Sequence, residues 1–231
     1  MLEELRQRVY RANRALVEAD LVIQTWGNVS GLDAEAGLMV IKPSGVAYEA
    51  MSPENMVVVS LETGQVVEGD LRPSSDAPTH LELYRGLKGL GGVAHTHSLY
   101  ATAWAQARRR IPPLGTTHAD YFYGPVPCTR AMTDEEIQDG YEANTGKVIV
   151  ERFSDLDPAA LPGVLVADHG PFTWGPTPEK AVESAVIVEH LAKLASISLG
   201  IDPYPKQVSR ALLDKHYLRK HGPGAYYGQK Q

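Results

Sequence analysis

The chain predicts a single α/β domain of mixed element order, and three observations carry that reading. Its 231 residues, 43% of them apolar, suffice for one sizeable core. Short apolar runs of strand length alternate with longer amphipathic or Ala-rich stretches. No linker, repeat or low-complexity tract divides the chain, so residues 1–231 are expected to form one unit.

The elements follow in order. Leu2, Leu5, Val9, Ala12 and Leu16 recur at helical spacing among Glu, Arg and Gln, which predicts an amphipathic opening helix. Apolar runs at 22–26, 38–41, 56–61 and 66–67, separated by Gly27, Gly37, Pro43, Gly45 and Gly64, predict strands and hairpins. A helix is expected over about 78–87, a strand over 92–95 and an Ala-rich helix over 98–107. Thr133, Asp134, Glu135 and Glu136 form a capping box that begins another helix, and 164–167 reads as a buried strand. Thr177, Pro178 and Glu179 open a long helix ending before Gly200, and a last helix runs from about 206 to 220, closed by Gly222 and Gly224. The stretch 202–205, with two prolines, isolates a C-terminal tail that needs a surface to pack on.

With 22 basic against 28 acidic side chains the net charge is −6, which argues against nucleic acid or an anionic membrane as partner. No apolar run approaches the roughly 20 residues of a membrane span, and the charged beginning is unlike a signal peptide; a cytoplasmic location is expected. The lone cysteine, Cys128, supplies neither an internal disulfide nor a thiolate cluster, so a metal site here must use His and carboxylate ligands.

His95 and His97 flank Thr96 after an apolar run; at the end of a strand their imidazoles point to one face as a bidentate metal site. His169 ends another apolar run, and a three-His site with an open position follows if the two strands adjoin. Paired core or surface histidines show the same spacing. Ser74, Ser75 and Asp76 precede a helix, where they serve either as a cap or as an anion site. Lys42, Ser44 and Gly45 offer an ammonium, a hydroxyl and a flexible backbone without the order of a P-loop, and Asn28 and Ser30 stand at a turn. Thr116, His118 and Asp120 lie in a stretch without amphipathic period, read as a pocket wall with Asp120 as general acid or base, or as a simple turn cap. His80, His118, His190 and His221 are expected to be structural or surface residues.

Taken together and in order, Thr25-Trp26-Gly27-Asn28-Val29-Ser30, Lys42-Pro43-Ser44-Gly45-Val46, Pro73-Ser74-Ser75-Asp76, His95-Thr96-His97-Ser98, the run from Thr116 to Gly124 and His169-Gly170-Pro171-Phe172 resemble the class II aldolase and L-ribulose-5-phosphate 4-epimerase family. The ending, from Leu213 to Gly222 and from Ala225 to Gln229, resembles its epimerase branch. The resemblance implies a three-layer α/β/α sandwich around a mainly antiparallel sheet, and a four-fold homotetramer with active sites between subunits. The tail, about 206–231, would dock near a neighbouring subunit.

It further implies one zinc per subunit, replaceable by manganese or cobalt, held by His95, His97 and His169 with Asp76 as a fourth ligand or near ligand. The substrate would be a small sugar phosphate, its phosphate held by Asn28, Lys42, Ser44, Gly45, Ser74 and Ser75. Asp120 and Tyr227, the latter from a neighbouring subunit, would be the acid/base pair, supported by Thr116, Glu142, His216 and Arg219. The implied reaction interconverts L-ribulose 5-phosphate and D-xylulose 5-phosphate, as pentose use such as arabinose catabolism requires, by retro-aldol cleavage to an enediolate and glycolaldehyde phosphate. Family aldolases usually carry Glu where this chain has Asp76, which with the long Tyr-Tyr ending favours the epimerase over a fuculose 1-phosphate aldolase. A non-enzymatic adducin-type binding module and a dehydratase of a ribulose 1-phosphate thioether are the other readings; the three retained histidines oppose the first.

Overall fold

The computed structural model describes residues 2–227. Seven strands form one sheet in the order β4-β3-β2-β1-β5-β7-β6, where β1 is Asn28–Asp33, β2 Leu38–Ile41, β3 Val57–Ser60, β4 Val66–Glu68, β5 Gly92–His95, β6 Gly163–Leu165 and β7 Pro171–Gly175. Every neighbouring pair is antiparallel. Side chains alternate between faces, so Val29, Val40, Val58 and Ala94 share one side while Met39, Ile41, Val57, Val59 and Val93 share the other.

Helices cover both sides. The opening helix α1 (Leu2–Glu18) buries Leu5, Val9, Ala12 and Leu16, the stripe expected from its periodicity, on the first face. The long helix α7 (Pro178–Ile201) lies beside it, and Gly92 permits the approach: a Cβ there would stand 2.4 Å from the Pro178 nitrogen. Helices α2 (Ala77–Gly86) and α6 (Tyr141–Arg152) cover the second face, packed so closely that a Cβ on Gly86 would meet Val150 at 2.5 Å. The α/β/α sandwich is thereby present. Helix α3 (Leu99–Gln106) leaves β5 and rests on α7, whose Glu189 carboxylate accepts the Tyr100 and Ala101 amide N–H groups at 2.9 and 2.8 Å. That carboxylate satisfies otherwise orphaned donors at the positive end of α3. Helix α7 is long and apolar enough to cross a membrane by length and composition, contrary to the expectation from residue runs; here much of its apolar surface lies against the sheet and α3.

Several elements differ from expectation. Residues 22–26 form a turn and not a strand: Ile23 and Trp26 are exposed and Gln24 has φ of 55°. The strand begins two residues later, at Asn28, where buried Asn28 and Ser30 hide it from any apolar pattern. The helix opened by the Thr133 box is short, α5 (Asp134–Gln138), and breaks before Gly140, whose φ of 85° suits glycine, so that α6 starts anew. After His169 the Gly170-Pro171 pair returns the chain to the sheet as β7, a strand the apolar runs did not predict. Ser209 caps the last helix, α8 (Arg210–His221), which therefore begins later than position 206.

Between α3 and α5 a one-turn helix, α4 (Thr116–Ala119), carries His118, whose Nε2–H donates to the Gly124 carbonyl at 2.7 Å. Helix α8 packs on α4 of its own chain, with Tyr217 stacked on Tyr123 at 4.6 Å and the Val208 amide donating to the Pro113 carbonyl at 2.9 Å. Positions 228–231 of the tail lie outside the described residues.

Burial pushes His118 down to about 4 from an ordinary 6.5, so it folds neutral. The unfolded chain binds that proton first as pH falls, and the stability this group leaves intact above 6.5 is lost below it. His118→Gln, whose amide nitrogen reaches the position of Nε2 and keeps a donor for Gly124, is expected to flatten the pH dependence by roughly 1.4 kcal/mol per pH unit between about 6.5 and 4, measured by urea unfolding.

Candidate active site

At the centre of the sheet the register aligns Asn28 with His95 and His95 with Phe172. His95 ends β5, His97 follows at i+2, and His169 occupies the tip of the β6–β7 turn, where Asp168 takes φ of 65°. Adjacency of β5 and β7 brings the three imidazoles together, with one nitrogen from each lying within 4.8 Å of the others. The His95 ring stacks on Phe172 at 4.1 Å, and its Nδ1–H donates to the Pro171 carbonyl at 3.0 Å. That bond leaves Nε2 as a bare lone pair, 3.1 Å from Nε2 of His97. Burial first, then the neighbouring His95, lower the pKa of His97 and push His169 down to about 3, so both rings stay neutral. Three imidazole nitrogens converging without a saturating fourth group among the described residues fit a zinc-type ion with an open coordination position.

Asp76 stands beside this triad and outside its compact donor set. It is the N-cap residue of α2 yet makes no side-chain cap bond, and its Oδ2 accepts from Nδ2 of Asn28 at 2.7 Å. Burial opposes its ionisation, but the neighbouring His95 and His80 imidazoles and the Asn28 bond outweigh it and bring its pKa below the usual carboxylate range. Oδ1 of Asn28 is buried with no partner among the described residues. Sequence reasoning missed Tyr141, whose hydroxyl lies 3.3 Å from Nδ1 of His169; its position at the start of α6, just after the break at Gly140, carried no signal.

The same cavity, about 380 Å³, is also lined by Asn28, Lys42, Ser44, Gly45, Ser74 and Ser75. Two loops are zipped together there: the Ser44 amide donates to the Arg72 carbonyl and the Ser74 amide to the Lys42 carbonyl, both at 2.9 Å. Lys42 is 2% exposed, and burial lowers its pKa. Its ammonium donates to the Pro43 carbonyl at 3.3 Å and lies 4.9 Å from the Tyr48 ring, with no carboxylate paired to it among the described residues. A buried cation without a counter-charge beside three serines is a seat for an anion.

The remaining expected residues divide between two places. Glu142 lines the metal-facing cavity, its carbonyl accepting from Oγ1 of Thr79 at 2.6 Å. Thr116, His216, Arg219 and Tyr227 gather instead around Asp120, outside that cavity. Asp120 accepts from Nδ1 of His216 at 2.9 Å and from Arg219 at 2.9 and 3.1 Å, with Lys220 at 3.4 Å, while the Thr116 carbonyl accepts the Asp120 amide. Burial opposes its ionisation, and these donors and cations overcome it and hold the carboxyl below its ordinary range. The Arg219 guanidinium lies 4.9 Å from the Tyr227 ring, so Asp120 and Tyr227 share one wall of one chain. His221 donates to the Asp120 carbonyl at 2.9 Å; His80 is fully buried, its Nδ1 2.7 Å from Oγ of Ser30.

The sequence profile described as "Class II Aldolase and Adducin N-terminal domain" matches residues 7–196. Among solved structures, an L-fuculose 1-phosphate aldolase is 26% identical with a TM-score of 0.78, over 92% of this chain and 94% of that one. The l-fuculose-1-phosphate aldolase from Thermus thermophilus is 23% identical, TM-score 0.67, over 88% of this chain and 100% of that one. A sugar-phosphate aldolase from Thermotoga maritima is 17% identical, TM-score 0.68, over 87% and 97%. The latter two speak for the fold. With the profile spanning most of the chain and the antiparallel sandwich shared by these structures, the chain belongs to the class II aldolase and adducin N-terminal domain family.

Proposed function

We propose that the chain catalyses metal-dependent epimerisation at C4, interconverting L-ribulose 5-phosphate and D-xylulose 5-phosphate. One observation carries the reading furthest: a convergent three-His donor set and a buried ammonium with no carboxylate paired to it among the described residues line one cavity. A sugar phosphate with an oxygen-rich end and an anionic end is the ligand such a cavity fits.

C4 of a 2-ketose has no acidic C–H, because it is not adjacent to the carbonyl, so inversion there requires the C3–C4 bond to break and re-form. When bound by His95, His97 and His169, with Asp76 alongside, zinc or an equivalent manganese or cobalt ion supplies Lewis acidity toward the carbonyl oxygen. Lys42, Ser44, Gly45, Ser74 and Ser75, with Asn28, hold the phosphate, so the two-carbon aldehyde fragment stays in place while it turns its other face. Asp120, kept ionised by His216 and Arg219, accepts the proton of the C4 hydroxyl on one face. Tyr227 returns a proton to the C4 oxygen on the other. Since these groups lie outside their own chain's cavity, Asp120, His216, Arg219 and Tyr227 act as one unit at the cavity of a neighbouring copy, within a homotetramer. The Asp120 wall is formed by α4 and the docked tail, and this supports the epimerase over the second reading, an aldolase of the fuculose 1-phosphate type. The 26% identity to such an aldolase supports that second reading.

NMR of L-ribulose 5-phosphate with zinc-loaded and chelator-stripped protein tests the choice: D-xylulose 5-phosphate is expected only with metal. Release of free two- and three-carbon fragments, or cleavage of L-fuculose 1-phosphate in its place, would establish the aldolase. His97→Ala is expected to remain soluble and lose metal affinity by more than about tenfold, read by chelator competition. Asp120→Asn is expected to lower kcat by about 10²–10⁴-fold at unchanged metal content, and an unchanged rate would remove Asp120 from the reaction.

A further inference from the structure

Tyr48 belongs to neither the metal centre nor the proton-transfer cluster, yet it touches both walls of the anion-binding part of the cavity. It is 2% exposed, on a 3-10 turn at Tyr48–Ala50. Its hydroxyl donates to the carbonyls of Trp26 and Gly27 at 2.9 and 2.8 Å, one proton shared between two acceptors. Its ring faces the Lys42 ammonium at 4.9 Å. From below, the Tyr48 carbonyl accepts a guanidinium N–H of Arg14 at 2.8 Å, which ties the turn to α1.

The loop that the hydroxyl holds has little freedom on its far side. Gly27 adopts φ of 84°, and a Cβ there would stand 2.9 Å from the His95 carbonyl. The peptides on either side of Gly27 are thus wedged between the Tyr48 phenol and the strand that presents His95, and the next residue is Asn28. On the other wall Lys42 has three N–H donors and one weak carbonyl acceptor, so the aromatic face is the main surface that orients its ammonium.

We infer that Tyr48 is a positioning residue for phosphate binding: its phenol sets the loop that carries Asn28, its ring sets the Lys42 ammonium, and the two arrive at one anion at a fixed separation. The inference rests on the reading of this part of the cavity as the phosphate seat. A side chain that merely filled the core would contribute to stability and leave anion affinity unaltered.

Tyr48→Phe keeps the ring and removes the tie to Trp26 and Gly27, while Lys42→Met removes the cation. Inorganic phosphate is titrated into both variants by calorimetry, with metal content measured in parallel and KM and kcat determined on L-ribulose 5-phosphate. The expected result for Tyr48→Phe is a phosphate Kd raised about tenfold, or about 1.4 kcal/mol, with KM rising in step and kcat and metal content nearly unchanged. Weakened phosphate binding in Lys42→Met with wild-type binding in Tyr48→Phe would overturn the role of Tyr48. Unweakened binding in Lys42→Met would overturn the phosphate seat itself, and the role of Tyr48 with it. Should Tyr48→Phe not fold, 3-fluorotyrosine placed at position 48 of the otherwise unaltered chain supplies the readout. Its ¹⁹F resonance is expected to move on phosphate addition, and an unmoved resonance overturns the proposal.

Discussion

Antiparallel pairing of β1, β5 and β7 is the constraint on which the rest of the molecule depends. Backbone hydrogen bonds set the register of these three central strands, and that register lines up Asn28, His95 and Phe172 across the sheet. From it follow the aromatic floor under His95, the approach of His169 on the β6–β7 turn and the contact of Asn28 with Asp76. A slip of one residue in β5 would turn His95 to the face occupied by α1 and α7 and leave the imidazoles on opposite sides of the sheet.

Electrostatics within the cavity runs in two directions. Around the triad, burial and mutual proximity keep His97 and His169 uncharged, which costs nothing to nitrogens whose use lies in their lone pairs. At Lys42 the same burial bears on an ammonium that has no carboxylate paired to it among the described residues. An incoming anion relieves that cost, so part of its affinity comes from the strain of the free protein. Asp120 shows the converse arrangement, a carboxylate surrounded by the basic side chains of His216, Arg219 and Lys220 and held ionised by them.

The parts of this structure that were legible in the sequence each carried a local signal: α1 its apolar stripe, β5 an apolar run ending at His95, and α7 the Thr177-Pro178-Glu179 start. β1 was not legible, because its buried Asn28 and Ser30 serve the site and carry no apolar signal, while the exposed apolar residues just before it imitate a strand. The resemblance supplied the residues of the Lys42 and Ser74 loops and of the tail; within one chain Glu142, two residues after the break at Gly140, lines the cavity of the three histidines and stands apart from Asp120. Tyr48 and Tyr141 escaped notice since a buried or half-buried tyrosine reads as core until its hydroxyl partners are seen.

The Glu189 carboxylate at the head of α3 ties the segment that follows His97 to a helix some ninety positions downstream in the chain. β5 itself sits between β1 and β7, and β7 is completed only at Gly175. During synthesis from the N-terminus, therefore, the His95 and His97 rings emerge long before the pieces that order them. The three histidines cannot come together on the ribosome as a local unit; their site closes late, once strand β7 and helix α7 have left the exit tunnel.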